Sequence, residues 1–551
     1  MKDFTIEGSI FAKYTGNSST VRIPDGITEI GAHAFEGNTT LSAVVIPGSV
    51  QTICADAFKG CTALETISFP EGVAAIETSA FRGCTSITSI LLPRSVTKLG
   101  DGAFASMSAI ASLQVAEGNQ VYYSVDNCII ERATGKLIVG CQNSKIPDVV
   151  TEIDLGAFEG CTELTAIDIP GSVTTIHPYA FSGCTALTSL TIRNGVRRIL
   201  TAAFRGCKGI TSVWIPESVE KLEGLAFGLI PDLVSLQVAE GNQVYYSVDN
   251  CIIERATGKL IVGCQNSKIP DGVTEIGDWA FKGRTTLTSL TLPDTVTAIG
   301  WGAFSGCEAL ASMNIPDSIV RVQRFAFSGC TAFPNLHKHD GGLYLASVNN
   351  PYHTLIEVED KSRNTLAIHP STRVIADFAF YGCKYTGEFV IPNGIKTIGV
   401  CAVSASSGIS GIVVPASVEQ IYDGFANIST LVSLQVAEDN RVYRSVDNCI
   451  IERATGKLIV GCQSSKIPEG VTVIGERAFS DCTGLREITI PDSVTQICDF
   501  AFSWCSALAP ITIPDSVQVL SDKAFFQCKD IQICDAAGKR LEVDPKSGYL
   551  L

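Results

Sequence analysis

Residues 161–184 read CTELTAIDIPGSVTTIHPYAFSGC. Three marks organise this segment: an apolar residue before proline (Ile169-Pro170), an Ala-Phe pair eleven residues past that anchor (Ala180-Phe181), and a cysteine closing each turn (Cys161, Cys184). Outward in both directions the anchor returns every 23 residues, at Ile23, Ile46, Phe69 and Leu92, then Ile146, Ile169, Ile192 and Ile215. It continues at Ile269, Leu292 and Ile315, at Ile368, Ile391 and Val414, and at Ile467, Ile490 and Ile513. Ala-Phe follows 15 of these 17 anchors, the exceptions being Ala402-Val403 and Phe425-Ala426, so composition alone cannot explain the pattern.

A 31-residue unit punctuates the shorter one after Val115, Val238 and Val436. Residues 112–148 and 235–271 are identical, the copy from Ser433 differs at a few positions, and a divergent version fills 336–367. Blocks therefore start at Ile23, Ile146, Ile269, Ile368 and Ile467, and the chain holds about 21 coils.

Periodicity dictates the architecture. Leu190 and Ile192 alternate with polar residues, as a half-buried strand requires. Proline follows 15 of the 17 anchors (Arg193 and His369 stand in the others), and its missing N–H ends the ladder at one point per turn. A second apolar pair such as Val196 and Ile199 predicts another wall, and Ala-Phe a tight helical or 3₁₀ turn. No coil buries its apolar face without neighbours, so the coils must stack. Phe35, Phe58, Phe81 and Phe104 are expected in one buried column, as are Phe158, Phe181 and Phe204. The fold expected is a mainly β repeat solenoid. An N-terminal cap hairpin occupies 1–22, the solenoid 23–533 (blocks 23–145, 146–268, 269–367, 368–466, 467–533) and a C-terminal cap 534–551. In each 31-residue unit, CIIE and KLIVG flank a turn at Thr134-Gly135, Thr257-Gly258 or Thr455-Gly456, which predicts a β-hairpin projecting from the coil.

The run Cys-Thr-x-Leu-x-x-Ile-x-Ile-Pro-x-x-Val-x-x-Ile-x-x-x-Ala-Phe-x-Gly-Cys resembles the BspA-type leucine-rich repeat, over practically the whole chain. The NCIIE…TGKLIVGC insert and the NNPYHTLI segment resemble punctuating units of bacterial members. The resemblance implies a curved, right-handed solenoid. It also implies a cell-surface adhesion role toward host or neighbouring-cell matrix proteins, since such adhesins occur in the family.

Composition narrows the function. A net charge of −15 argues against nucleic acid, and no apolar run approaches the ~20 residues a membrane helix needs. The segment MKDFTIEGSIFAKYTGNSS lacks an apolar signal-peptide core, so the sequence alone points to the cytoplasm and the resemblance to the surface. The 21 cysteines are mostly repeat-bound: Cys61, Cys84, Cys161, Cys184 and their equivalents predict a column of buried thiols capping backbone groups. Cys128–Cys141, Cys251–Cys264 and Cys449–Cys462 flank the hairpins as packed thiols or disulfides. His337, His339, Asp340, His353 and His369 are the one grouping suited to a metal, set against a purely structural reading of that segment. No nucleophile elbow or phosphate loop occurs. The expectation is a monomeric, non-catalytic protein-interaction scaffold without cofactor or metal, presenting a concave strand surface. The alternative is an intracellular structural scaffold. Candidate partner-binding residues are Trp214 and Leu91 on the outward strand row, Leu91 lying many coils from Trp214, and Tyr122, Tyr123, Tyr245 and Tyr246 on the hairpins.

Overall fold

The computed structural model describes residues 3–365, 367–406, 408–528 and 531–541. The chain divides into two compact units. The first comprises Met1–Leu290, Gly302–Ala311 and Phe327–Ala332; the second comprises Thr291–Trp301, Ser312–Ala326 and Phe333–Leu551.

In the first unit, strands one repeat apart pair in parallel. On the anchor wall Val21 faces Val44, Ile167 faces Leu190 and Val213 faces Leu236. On the second wall the strands are two residues long, and Ile30, Ile53, Ile76 and Leu99 follow one another in register. The Ala-Phe turns form a third row, in which the Phe58 amide donates to the Ala80 carbonyl and Phe81 to Ala103, both at 2.8 Å. Between these walls lie the phenylalanines. Ring centroids are 4.8 Å apart for Phe35–Phe58, 5.0 Å for Phe58–Phe81 and 5.6 Å for Phe81–Phe104, all stacked within 10°. Phe158, Phe181, Phe204 and Phe227 form a second column at 4.7–5.3 Å. Offset stacking at these distances adds to the area each ring removes from water. The Ala-Phe turns are hydrogen-bonded turns throughout the described residues except at Gly224–Phe227, which is 3₁₀.

The second unit repeats the scheme. Ile375, Ile398 and Ile421 follow in parallel register, and Phe479, Phe502 and Phe525 stack at 5.1 and 5.2 Å. Where Ala-Phe is replaced, Val403 and Phe425 still point inward and are buried.

At the chain start, Phe4–Glu7 and Ile10–Tyr14 form an antiparallel hairpin, and Phe11 of the latter strand pairs in parallel with Ile30. Toward the end, Ile533–Asp535 and Arg540–Leu541 pair antiparallel around Gly538, at φ 79°. The rest of the expected C-terminal cap, 542–551, lies outside the described residues.

The 31-residue units correct the projecting-hairpin expectation. Tyr122–Val125, Cys128–Glu131 and Lys136–Val139 lie in one sheet, antiparallel to each other, and Lys136–Val139 passes directly into the parallel ladder through Glu152–Ile153. The inserted strands thus rebuild the wall rather than leave it, because Ile129, Ile130 and Leu137 must be buried. In consequence Tyr122 and Tyr245, expected as contact residues, are only 4% exposed. Each phenol oxygen accepts the amide hydrogen of the last second-wall residue before the insert, Leu99 or Leu222, at 3.0 Å. They seal an interrupted ladder and are inaccessible to a partner. In the second unit Tyr443 does the same for Ile421.

Candidate protein-interaction surface

Strand alternation decides which side chains a partner can reach. In Ser212–Ile215, Val213 and Ile215 face the core, which turns Trp214 outward with 52% of its surface exposed. Gln237 is its register partner on one side, and Asp168 and Thr191 pair in the same position two and one repeats earlier. This row is exposed at each of those positions. Leu91, 55% exposed, occupies the same position beside Gln114 but in a different strand pair.

Arg193 stands where proline usually follows the anchor. Its amide donates to the Ile169 carbonyl at 3.0 Å, a bond proline cannot make. Its guanidinium grips both oxygens of Asp168, at 3.0 and 2.5 Å, and that contact pushes the Arg193 pKa up. Together with Lys145, Asp148, Ser189 and Thr191 the pair lines a shallow cavity of about 360 Å³ on the strand face.

Tyr123 and Tyr246 are half-buried, each with an arginine over its ring, Arg132 at 4.9 Å and Arg255 at 5.2 Å. Both guanidiniums donate from Nε to a backbone carbonyl, that of Asn119 or Asn242, at 3.1 Å. Identical sequence yields identical faces. In the third copy Arg444 takes the tyrosine position.

A second cavity, about 450 Å³, opens beside the seam sealed by Tyr245, lined by Glu223, Glu254, Lys259, Asp278 and Trp279 among others. Sequence reasoning missed it, since it exists only where the ladder is interrupted. Its charges are partnered within the chain: Glu223 accepts from Thr201 and pairs with Lys221 at 3.0 Å, Glu254 accepts from Thr257, and Lys259 pairs with Glu275 at 2.7 Å.

The cysteines act as local hydrogen-bond donors. Cys61, Cys84 and Cys184 donate to the carbonyls of Phe35, Phe58 and Phe158 at 3.1–3.2 Å. Burial pushes the thiols of Cys128, Cys161 and Cys307 up to about 12. All 21 are free thiols, those flanking the 31-residue hairpins included. Arg284 fills the cysteine position in one coil. Fully buried, it donates to the carbonyls of Gly263, Ile230 and Phe227 at 2.9–3.0 Å.

The histidines separate. His353 is buried against the Thr354 hydroxyl, and Asp340 pairs with Arg363 at 2.6 Å. His339 and His369 do approach, at 4.9 Å between ring centroids, but the Tyr352 ring stacks on His369 at 3.9 Å. Among the described residues no group of three or more potential ligands is arranged to hold a metal ion. No helix there is long and apolar enough to cross a membrane.

Comparison with known proteins accords with this architecture. The BspA type leucine rich repeat region matches in six copies, at residues 5–128, 138–251, 261–341, 359–455 and 459–540. Solved structures similar to the chain include a leucine-rich repeat protein from Bacteroides ovatus (21% identity, 76% of this chain and 84% of that one, TM-score 0.32). One from Eubacterium ventriosum shares 19% identity over 68% of this chain and 89% of that one, with TM-score 0.39. A leucine rich cell surface protein from Faecalibacterium prausnitzii shares 20% over 97% and 92%, with TM-score 0.24. No curated relative matches the chain at a significant level.

Proposed function

The chain belongs to the BspA-type leucine-rich repeat family, and on that premise we propose that it is a monomeric, non-catalytic platform whose protein partner docks on the exposed strand row around Trp214. Stacked repeats of this kind generally offer extended surfaces to proteins. The observation that carries the reading is Trp214 itself, half exposed on a rigid strand and flanked by small polar side chains. Tryptophan is enriched among the few residues that dominate binding energy, and a rigid strand spends little entropy in presenting it. The Arg193–Asp168 pair, closed on itself, adds a charged contact on the same outward strand row. Tyr123 and Tyr246, each with its arginine, form a repeated accessory contact suited to a multivalent partner.

Adhesion to host or neighbouring-cell matrix proteins is the family-based form of this role. An intracellular scaffold is the second reading, favoured by the 21 free thiols, which suit a reducing compartment. The test is biolayer interferometry of the purified chain against a panel of matrix and cell-surface proteins, with fractionation of the native cells. Saturable binding that weakens at least tenfold in Trp214→Ala supports the platform. An inert panel together with a cytoplasmic location supports the scaffold instead.

A further inference from the structure

Most coils place one residue in the left-handed backbone region immediately before Ala-Phe, a conformation that penalises bulky side chains. Gly302 meets this demand at φ 57°, whereas Phe325 and Phe378 adopt φ 61° in the same position, as Tyr179, Trp279 and Phe500 do at 58–59°. Phe325 and Phe378 belong to the second unit, where Trp301 packs edge-on against each at 5.6 and 5.9 Å and Tyr381 sits 5.7 Å from Phe378. Phe325 remains 43% exposed and Tyr381 38%, so these ring contacts leave part of the aromatic surface open to solvent.

Arg324 stands at the centre. Its guanidinium carbon lies 4.6 Å from the Phe325 ring centroid and 5.2 Å from those of Phe378 and Tyr381. Cations over rings elsewhere in the chain have a polar partner as well. Arg477 over Phe500 approaches Asp423 and Glu476, Arg321 over Tyr422 pairs with Asp377 at 3.1 Å, and Lys282 over Trp279 donates to Ser305 at 2.8 Å. Among the described residues Arg324 has rings and no carboxylate. A guanidinium held by its faces keeps its N–H fork available for a bidentate carboxylate.

We propose that the Arg324–Phe325–Phe378–Tyr381 cluster is a second docking site, which takes an acidic peptide segment whose carboxylate engages Arg324 while an adjacent apolar side chain covers the phenyl rings. Charge complementarity selects the carboxylate and the exposed rings select the apolar neighbour. The site shares no residue with the Trp214 row and does not depend on it.

The test is fluorescence anisotropy of the full chain with a labelled peptide of alternating glutamate and leucine. Controls are its glutamine–leucine counterpart and a carboxylated oligosaccharide. Wild type should bind the glutamate peptide at least tenfold tighter than the glutamine one, and R324Q should remove that preference. F325G keeps the turn, since glycine already serves there at Gly302; it should weaken the peptide severalfold and raise Tm by relieving the backbone. W214A should bind the peptide like wild type, which separates this site from the strand row. Equal binding of both peptides, an unchanged R324Q, or binding of the oligosaccharide with the peptide inert would overturn the proposal.

Discussion

Gly140 lies so close to the Phe158 ring that a Cβ there would sit 2.1 Å from it. Gly263 against Phe281 and Gly461 against Phe479 repeat the contact at 2.2 and 2.0 Å. At each 31-residue unit the phenylalanine column ends on bare backbone, and the first ring of the next column packs on that glycine.

Gly140→Ala should therefore force the ring or the strand to move. Overpacking of this kind costs about 1–3 kcal/mol. Hydrogen exchange is the sharper readout, because stability in stacked repeats is local. Amides of 136–158 should lose protection while those of 43–92 keep theirs. Uniform protection across both would contradict the stated packing.

Removing the buried guanidinium in Arg284→Ala leaves the carbonyls of Phe227, Ile230 and Gly263 without their donor. Losing a charged donor to several buried acceptors should cost about 3–5 kcal/mol. Denaturant unfolding checks this. A change below ~1 kcal/mol would show that water replaces the side chain freely.

The thiols give a pH signature. Burial holds Cys128, Cys161 and Cys307 protonated up to about 12, above the ordinary value of 9.0. Between those limits the unfolded chain has released protons that the folded chain retains, so stability falls as pH rises through that window and is fully present below it. Tm should stay flat between pH ~7.5 and ~8.5 as far as these groups are concerned, then decline, less steeply in a Cys161→Ala, Cys307→Ala variant. Native-state alkylation at pH ~8 should be slow for all three. Rapid labelling without denaturant would refute the buried assignment.

Phe58→Ala removes the ring between Phe35 and Phe81, both within 5.0 Å of it. A cavity of this size costs about 3–5 kcal/mol. The loss should centre on residues 35–81 in exchange data. Loss spread evenly through the chain would instead mean global cooperativity.

Much of this was legible in the sequence for a simple reason: Ile-Pro and Ala-Phe recur at one spacing, and only stacked coils bury both. The register, the phenylalanine columns and the exposed row through Trp214 follow from that repeat. Phase within the inserted units was not legible. Tyr122 and Tyr123 are adjacent, and only the antiparallel pairing across Cys128–Glu131 determines that the first turns inward and the second remains accessible. Strand-like letters say nothing about whether a hairpin leaves the wall or completes it. Arg284 was visible as a departure from cysteine, yet its three carbonyls come from sequence positions 21 to 57 residues away. The Arg324 cluster was hidden for the same reason, because two of its rings, Phe378 and Tyr381, lie 54 and 57 residues further along the chain.

Hydroxyl-radical footprinting of Trp214, with and without a partner from the interferometry panel, tests the platform account most directly. Exposed and on a rigid strand, Trp214 should oxidise readily in the free chain and become at least severalfold protected in the complex, along with the peptides carrying Asp168 and Gln237. A bound complex in which Trp214 oxidises at the free rate would contradict it.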